Sequence, residues 1–149
     1  MTTLSLADPV ASEALGARLA GVARPGDVIT LSGPLGAGKT SIARGLLAAL
    51  GLEGEAPSPT FAIVQPYAPP ETHIPVMHVD LYRIEDPADL DELGLDEARA
   101  DSLLIIEWPE RAPGWWPDAL ALGVDFAPEG GRALTATVPA AWKGRWPLT

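Results

Sequence analysis

The sequence predicts an α/β fold in a single domain that spans residues 1–149. The chain has 149 residues, of which 47% are hydrophobic, so it can bury one substantial core but is too short for two ordinary domains. Short β-branched or apolar runs are interspersed with stretches of helical periodicity, which predicts strands and helices packed in layers. A glycine-rich loop also joins a predicted strand directly to a predicted helix.

The first predicted helix begins at Asp8 and Pro9. Aspartate caps a helix N-terminus, and proline at the first helical position has no N–H group to leave unpaired. This helix is expected to run to about Ala23, before the Pro25-Gly26 turn. Residues 27–32 (DVITLS) then form a short β-branched run, which predicts a buried strand.

The middle of the chain predicts a second helix and a pair of strands. Residues 39–50 (KTSIARGLLAAL) have a helical period, and Gly51 is expected to supply the C-terminal cap. Residues 61–67 and 76–82 have the composition of strands, and a proline-rich connection joins them. We therefore expect an antiparallel pair here.

The C-terminal half predicts a short helix and three more strands. An acidic helix should begin at Asp86-Pro87 and end near Leu93, with Gly94 as its stop. Residues 103–107 (LLIIE) are continuously apolar before the glutamate, which is typical of a central strand buried on both faces. After a loop, residues 119–126 and 132–138 alternate around a glycine-rich turn and predict a closing hairpin.

Composition restricts the classes of function. A net charge of −10 argues against direct binding of nucleic acid, because counterion release needs clustered lysine and arginine. The acidity reflects either ordinary solubility or an acidic docking face. The absence of cysteine excludes disulfides and thiolate metal sites, which favours a cytoplasmic location. We expect no signal peptide, because residues 1–9 have no basic region followed by an apolar stretch, and no membrane span, since no apolar run approaches about 18 residues.

Residues 33–40 (GPLGAGKT) match the phosphate-binding pattern G-x-x-x-x-G-K-[ST]. In this P-loop, backbone N–H groups surround a nucleotide phosphate, and the N-terminus of the next helix adds partial positive charge. Lys39 is expected to bridge the β- and γ-phosphates of ATP, and the Thr40 hydroxyl to bind Mg²⁺. The alternative is that the pattern matches by chance. A predicted strand before the motif and a predicted helix after it make such chance matches rarer. The predicted nucleotide contacts here are Gly33, Leu35, Gly36, Ala37, Gly38, Lys39, Thr40 and Ser41.

Two carboxylates are candidates for the chemistry. Glu107 ends an apolar strand and is predicted to bind Mg²⁺ beside Thr40, because this ion prefers hard oxygen ligands. Asp80 is predicted to position water or a metal-bound water. Together with Lys39, these carboxylates form the predicted catalytic set, and which of them positions the attacking water stays open. The alternatives are a solvated strand-end Glu107 and a structural Asp80 that caps a turn or pairs with Arg83.

Other polar and aromatic residues give weaker signals. Thr60 lies in a loop (SPTF) that could reach the γ-phosphate and sense the nucleotide, although most such turns are structural. Trp108 is a predicted stacking surface for a base or a partner, with core or interface packing as the alternative. His73 and His78 are interpreted as structural, since a lone strand histidine is more often structural than catalytic.

Residues 33–40, 58–61 (SPTF), 78–83 (HVDLYR) and 107–108 (EW) together resemble the bacterial TsaE (YjeE) family in identity, order and spacing. The resemblance covers nearly the whole chain. Members of that family are small ATPases required for making threonylcarbamoyladenosine at position 37 of tRNAs that read codons beginning with A. They work with the partner proteins TsaD and TsaB, after TsaC has made threonylcarbamoyl-adenylate.

The resemblance implies a P-loop α/β fold whose central mixed sheet is flanked by helices. It implies that Thr40 and Glu107 hold Mg²⁺ and that Asp80 serves ATP hydrolysis. Ser12 stands where the family often has a threonine near the nucleotide, and Arg132 follows the Gly-Gly turn near the site. The implied cofactors are ATP and Mg²⁺, and the implied partners are TsaD and TsaB, with tRNA reached only indirectly through their complex.

Alternative functions share some of these motifs. A small-molecule kinase would also carry a P-loop, but it should place arginines over a closing lid, whereas the eight arginines of this chain are scattered. A non-hydrolytic module would use ATP only as a structural ligand, and the presence of Asp80 and Glu107 argues against it. A GTPase is disfavoured because the chain lacks an Asn-Lys-x-Asp signature.

Overall fold

The structure, a computed structural model, describes residues 2–54 and 64–146. Within these ranges, seven strands form one sheet. The strands are β1 (Thr2–Leu6), β2 (Val28–Ser32), β3 (Val64–Tyr67), β4 (Val76–Asp80), β5 (Leu103–Glu107), β6 (Leu120–Phe126) and β7 (Arg132–Thr137). The α-helices are α1 (Pro9–Ala20), α2 (Lys39–Ala49) and α3 (Leu95–Arg99), and 3₁₀ helices cover Pro87–Leu93, Pro109–Arg111 and Ala140–Trp142.

The sheet is mixed, with the order β1-β7-β6-β2-β5-β4-β3. Its four middle strands, β6, β2, β5 and β4, run parallel, while β1, β7 and β3 pair antiparallel with their neighbours. This confirms the predicted α/β fold with a mixed sheet and flanking helices. Because parallel strands end at the same edge of a sheet, the residues that follow β2, β4 and β5 are brought together.

The two faces of the sheet are covered by different parts of the chain. Side chains alternate along β5, so Leu103 and Ile105 pack on the face covered by α1 and α2. Leu104 and Ile106 pack on the opposite face, against the segment that includes α3. All five residues of β5 are buried, which agrees with the prediction of a strand covered on both faces.

Helices α1 and α2 approach each other closely at two glycines. A Cβ atom added at Gly16 would lie 2.1 Å from the carbonyl oxygen of Ile42, and one added at Gly45 would lie 2.0 Å from that of Glu13. Only glycine allows backbones to come so near. The contact fixes α1 against α2, and therefore against the loop that precedes α2.

Several predicted boundaries differ from the structure. The first helix ends at Ala20 rather than at about residue 23, and β4 ends at Asp80 because the chain turns there. The predicted acidic helix is a 3₁₀ helix, which ends at Gly94 with φ +65°. Helix α3, β1 and the 3₁₀ helix Ala140–Trp142 were not predicted. Residues 61–63, at the start of the strand predicted over 61–67, lie outside the described residues.

Two further predictions agree with the structure. Strands β3 and β4 form the expected antiparallel pair, and β6 and β7 form the expected hairpin. In the described part of the chain, no helix combines the length and the apolar composition that crossing a bilayer requires.

Candidate functional site

A cleft of about 280 Å³ opens at the edge of the sheet where β2, β4 and β5 end. Its lining comes from the glycine-rich loop, the start of α2, and the residues at the ends of β4 and β5. Tyr82 is the one residue of this lining for which the sequence predicted no role. The full lining is Leu35, Gly36, Gly38, Lys39, Thr40, Ser41, Asp80, Tyr82, Glu107 and Trp108.

The loop between β2 and α2 adopts a backbone that requires glycine. Gly33 and Gly38 have φ angles of +133° and +108°, which residues with a Cβ atom rarely adopt. A Cβ atom at Gly33 would also lie 2.0 Å from the carbonyl oxygen of Val124. Gly38 is the N-cap of α2, and no side chain in the described ranges caps it. The first N–H groups of α2 therefore remain suited to an anion.

Lys39 lies in the floor of the cleft and is only 5% exposed. Its Nζ donates a hydrogen bond to the Gly33 carbonyl and lies 3.4 Å from the centroid of the Trp108 ring. Burial lowers the pKa of Lys39. Nearby carboxylates, chiefly Glu107, act in the opposite direction and raise this pKa, but burial has the larger effect. A poorly solvated ammonium group at this place favours an anionic ligand.

Glu107 is 2% exposed, so the alternative of a solvated strand-end glutamate is wrong. Its Oε1 accepts a hydrogen bond of 3.3 Å from the Thr40 hydroxyl. Its Oε2 lies 2.6 Å from Nε2 of His78. Thr40 and Glu107 thus place a hydroxyl and a carboxylate oxygen side by side in the cleft, and this donor set suits a hard cation such as Mg²⁺.

Asp80 is 7% exposed and lines the same cleft. Its Oδ1 accepts a hydrogen bond of 2.9 Å from the backbone N–H of Tyr82, so the carboxylate does cap a turn, as the structural alternative supposed. Burial raises the pKa of Asp80, and the charge of Glu107 acts in the same direction. The Tyr82 N–H, His78 and Lys39 oppose this rise. A turn-capping role and a role in the cleft are compatible.

Trp108 forms one wall of the cleft together with Tyr82. Its φ of +62° is left-handed, a backbone state that is uncommon for a bulky residue. The indole ring contacts Lys39 on one side, and its centroid lies 4.9 Å from that of Tyr82. Trp108 also packs against the core on the second face of the sheet, as the packing alternative supposed, and its role as a stacking surface for a base or a partner stays a prediction.

The remaining predicted site residues lie around the loop. Ser12 is 1% exposed on α1, and its Oγ would be 3.4 Å from a Cβ atom at Gly38, so it lies behind the loop and does not line the cleft. Arg132 donates to the carbonyl oxygen of Gly36 at 3.1 Å, from outside the loop. Gly33 and Ala37 belong to the loop but are not in the lining. Thr60 lies outside the described residues.

The two histidines differ in their surroundings. His73 is exposed, and its ring lies against Gly51 at the far end of α2. His78 is 1% exposed and contacts Glu107, a contact that the structural interpretation of this histidine did not include. The signal that reveals His78 is the neighbouring position of β4 and β5 in the sheet, which no local pattern contains.

Comparisons of the sequence with known proteins all match the same family. A family model described as "Threonylcarbamoyl adenosine biosynthesis protein TsaE" matches residues 6–134. The chain is 42% identical to the tRNA threonylcarbamoyladenosine biosynthesis protein TsaE of Streptomyces coelicolor, over 76% of this chain and 78% of that one. It is 43% identical to the protein of the same name from Mycobacterium leprae, over 64% of this chain and 63% of that one.

A solved structure is also similar. The crystal structure of YdiB from Bacillus subtilis superimposes with a TM-score of 0.80 at 28% sequence identity. The match covers 97% of this chain and 89% of YdiB. The similarity therefore extends over nearly the whole chain.

Proposed function

The chain belongs to the TsaE family, and from that premise we propose that it is an Mg²⁺-dependent ATPase acting in threonylcarbamoyladenosine modification of tRNA. The modified position is tRNA position 37. The partners are TsaD and TsaB, and tRNA is reached through their complex rather than by this acidic chain, with its net charge of −10. The location is the cytoplasm.

One observation carries the ATPase proposal: Lys39, Thr40, Asp80 and Glu107 come from three separate elements and line a single cleft beside a glycine loop. In bound Mg²⁺-ATP, the loop N–H groups and Lys39 would hold the phosphates. Thr40 and Glu107 would hold the metal ion, which neutralises charge on the phosphate oxygens. Asp80 is the carboxylate that remains for orienting water.

The electrostatics of the cleft support a functional rather than a structural role for these residues. Lys39, Asp80 and Glu107 are each at most 7% exposed, and burying charged groups costs free energy. The pKa of Lys39 is lowered and that of Asp80 is raised, in both cases chiefly by burial. Ionisable groups held in such an unfavourable state cluster at functional sites.

The proposed activity is tested by measuring phosphate release from ATP by the purified chain. We expect release that requires Mg²⁺ and increases when TsaB and TsaD are added together, because a slow P-loop ATPase often depends on a partner to complete its site. A panel of small-molecule phosphoryl acceptors should leave the rate unchanged. Transfer to an acceptor without phosphate release would favour the kinase alternative, and no turnover under any of these conditions would contradict the ATPase proposal.

Metal binding is tested with Thr40→Ala and Glu107→Gln. Each should reduce the gain in ATP affinity on adding Mg²⁺ by about tenfold or more, because a contact to a charged group contributes about 1.5–3 kcal/mol. In free energy, the loss of this Mg²⁺-dependent gain in the double variant should be smaller than the sum of the two single losses, since both oxygens are assigned to one coordination shell. The measurement is a calorimetric ATP titration, with Mg²⁺ or with EDTA.

Matched controls exist for both variants. Thr30→Ala removes another buried threonine hydroxyl, on β2, and Glu53→Gln neutralises an exposed carboxylate beyond the far end of α2, which does not line the cleft. Both should keep the wild-type gain on adding Mg²⁺. If Glu107→Gln also keeps that gain, the carboxylate does not hold the metal ion.

A further inference from the structure

We propose that His78 is a positioning residue for the carboxylate of Glu107: it holds Oε2, so that Oε1 stays turned toward Thr40. The inference rests on the proposed function, because Glu107 and Thr40 are the residues assigned there to Mg²⁺. It adds a role for a side chain that does not line the cleft.

The position of His78 follows from the pairing of two strands. In the parallel pair of β4 and β5, His78 is opposite Ile105 and Asp80 is opposite Glu107. Side chains two residues apart on a strand share a face, so His78, Asp80 and Glu107 lie on the same face of the sheet. This is the face covered by α2, whose first turn carries Thr40.

The contact divides the two oxygens of Glu107 between two partners. Oε2 lies 2.6 Å from Nε2 of His78, and the two side chains are 3% and 1% exposed, respectively. A carboxylate that holds a cation is ionised and can only accept hydrogen bonds, so in this role Glu107 requires Nε2 of His78 as the donor. Oε1 lies 3.3 Å from the Thr40 hydroxyl. With Oε2 fixed by the histidine, rotation of the carboxylate is restricted and Oε1 remains on the cleft side.

The other ring nitrogen argues against a purely packing role. Nδ1 of His78 is buried and has no hydrogen-bond partner among the described residues. A buried nitrogen without a partner costs free energy, which an aliphatic side chain at this position would avoid. Val76 and Val79, on the same strand, are such side chains and are fully buried. The identity of residue 78 is therefore explained by its bond to Glu107.

The proposal predicts opposite outcomes for two amides at residue 78. The glutamine of His78→Gln can place an N–H near the position of Nε2, whereas the asparagine of His78→Asn reaches only to the position of Nδ1. His78→Leu removes the donor altogether. Residues that orient a metal-binding side chain usually contribute about 10–100-fold to metal affinity. We expect the increase in ATP affinity on adding Mg²⁺ to be smaller by that factor in His78→Asn and His78→Leu. His78→Gln should keep most of this increase.

The experiment measures the ATP dissociation constant of each variant, once with Mg²⁺ and once with EDTA, at a temperature at which the variant is folded. The melting temperature of each variant is measured as well. Affinity in EDTA should be unchanged, because His78 does not line the cleft. Val79→Ala is the matched control: it destabilises the same strand from the opposite face and should keep the Mg²⁺ gain.

Three results separate the possibilities. A wild-type gain in both His78→Asn and His78→Leu would overturn the positioning role. An equal loss in His78→Gln, His78→Asn and Val79→Ala would also overturn it, since the loss would then follow stability. If the unsubstituted protein itself shows no gain on adding Mg²⁺, the proposed function fails instead.

Discussion

Lys39→Ala is expected to lose at least about 100-fold in the rate of Mg²⁺-dependent ATP hydrolysis while remaining folded. The proposed role of Lys39 is to stabilise charge that develops on the phosphates, and a single preorganised donor of this kind typically contributes about 100- to 1,000-fold to a rate. The ammonium group is already directed into the cleft, where it bonds to the Gly33 carbonyl and contacts the Trp108 ring. The measurement is phosphate release at saturating ATP and Mg²⁺.

The fold should tolerate this change. Burial lowers the pKa of Lys39, so the folded state holds the proton less tightly than the unfolded chain does. A charged Lys39 therefore destabilises the fold at every pH below its folded-state pKa, and this effect disappears as the pH rises to the ordinary pKa of lysine. Removing the charge should not lower the melting temperature through electrostatics.

Lys143→Ala is the matched control for Lys39→Ala. The chain has two lysines, and Lys143 is exposed in the C-terminal segment, away from the cleft. The control should hydrolyse ATP at the wild-type rate. A Lys39→Ala protein that is folded and equally active would refute the assignment of residues 33–40 as the phosphate-binding loop.

The position of the cleft could be predicted because its signals are local. Residues 27–50 contain a strand, a glycine loop and a helix in direct succession, and the loop motif is continuous in the sequence. Glu107 could be predicted because it ends an apolar strand, and Asp80 because it lies between apolar residues of a predicted strand; parallel neighbouring strands bring both to one edge of the sheet. Local pattern and a general rule of topology were sufficient for these residues.

The features that the sequence did not predict arise from strand pairing between segments that are far apart in the sequence. Strand β1 is only five residues long at the edge of the sheet, and it exists through antiparallel pairing with β7, about 130 residues away. His78 contacts Glu107 only through the alignment of β4 with β5. Neither of these features has a local sequence pattern.

Asp80→Asn and Asp80→Ala should both keep ATP binding within a few-fold of wild type and lose at least about 100-fold in hydrolysis. A carboxylate that orients or deprotonates water acts on the transition state more than on the bound ground state. Positioned acid–base groups typically contribute about 100- to 10,000-fold. ATP affinity, turnover and melting temperature should be measured side by side on each variant.

The pair of variants separates the catalytic role from the turn-capping role. Asparagine keeps an oxygen that can accept from the Tyr82 N–H, as Oδ1 now does at 2.9 Å, whereas alanine removes it and should cost about 1 kcal/mol of stability. If Asp80 only caps the turn, Asp80→Asn should hydrolyse ATP normally. If the carboxylate itself acts in the reaction, Asp80→Asn should be as inactive as Asp80→Ala.

The pKa of Asp80 predicts the stability of Asp80→Asn. Burial raises this pKa, so the folded state binds the proton more tightly than the unfolded chain does. Ionised Asp80 therefore destabilises the fold at any pH above its folded-state pKa, and this cost vanishes once the pH falls below the ordinary range of an aspartate. At neutral pH, Asp80→Asn should melt at or above the wild-type temperature.

The matched control for these variants is Asp86→Asn. Asp86 also caps a turn, since its Oδ1 accepts a hydrogen bond of 3.0 Å from the backbone N–H of Ala88, but it is exposed and does not line the cleft. It should change neither ATP affinity nor turnover. Normal hydrolysis by Asp80→Asn would leave Asp80 as a structural cap and assign the orientation of water to Glu107. An inactive Asp80→Asn with an unchanged or raised melting temperature would establish that the carboxylate is retained for catalysis at the expense of stability.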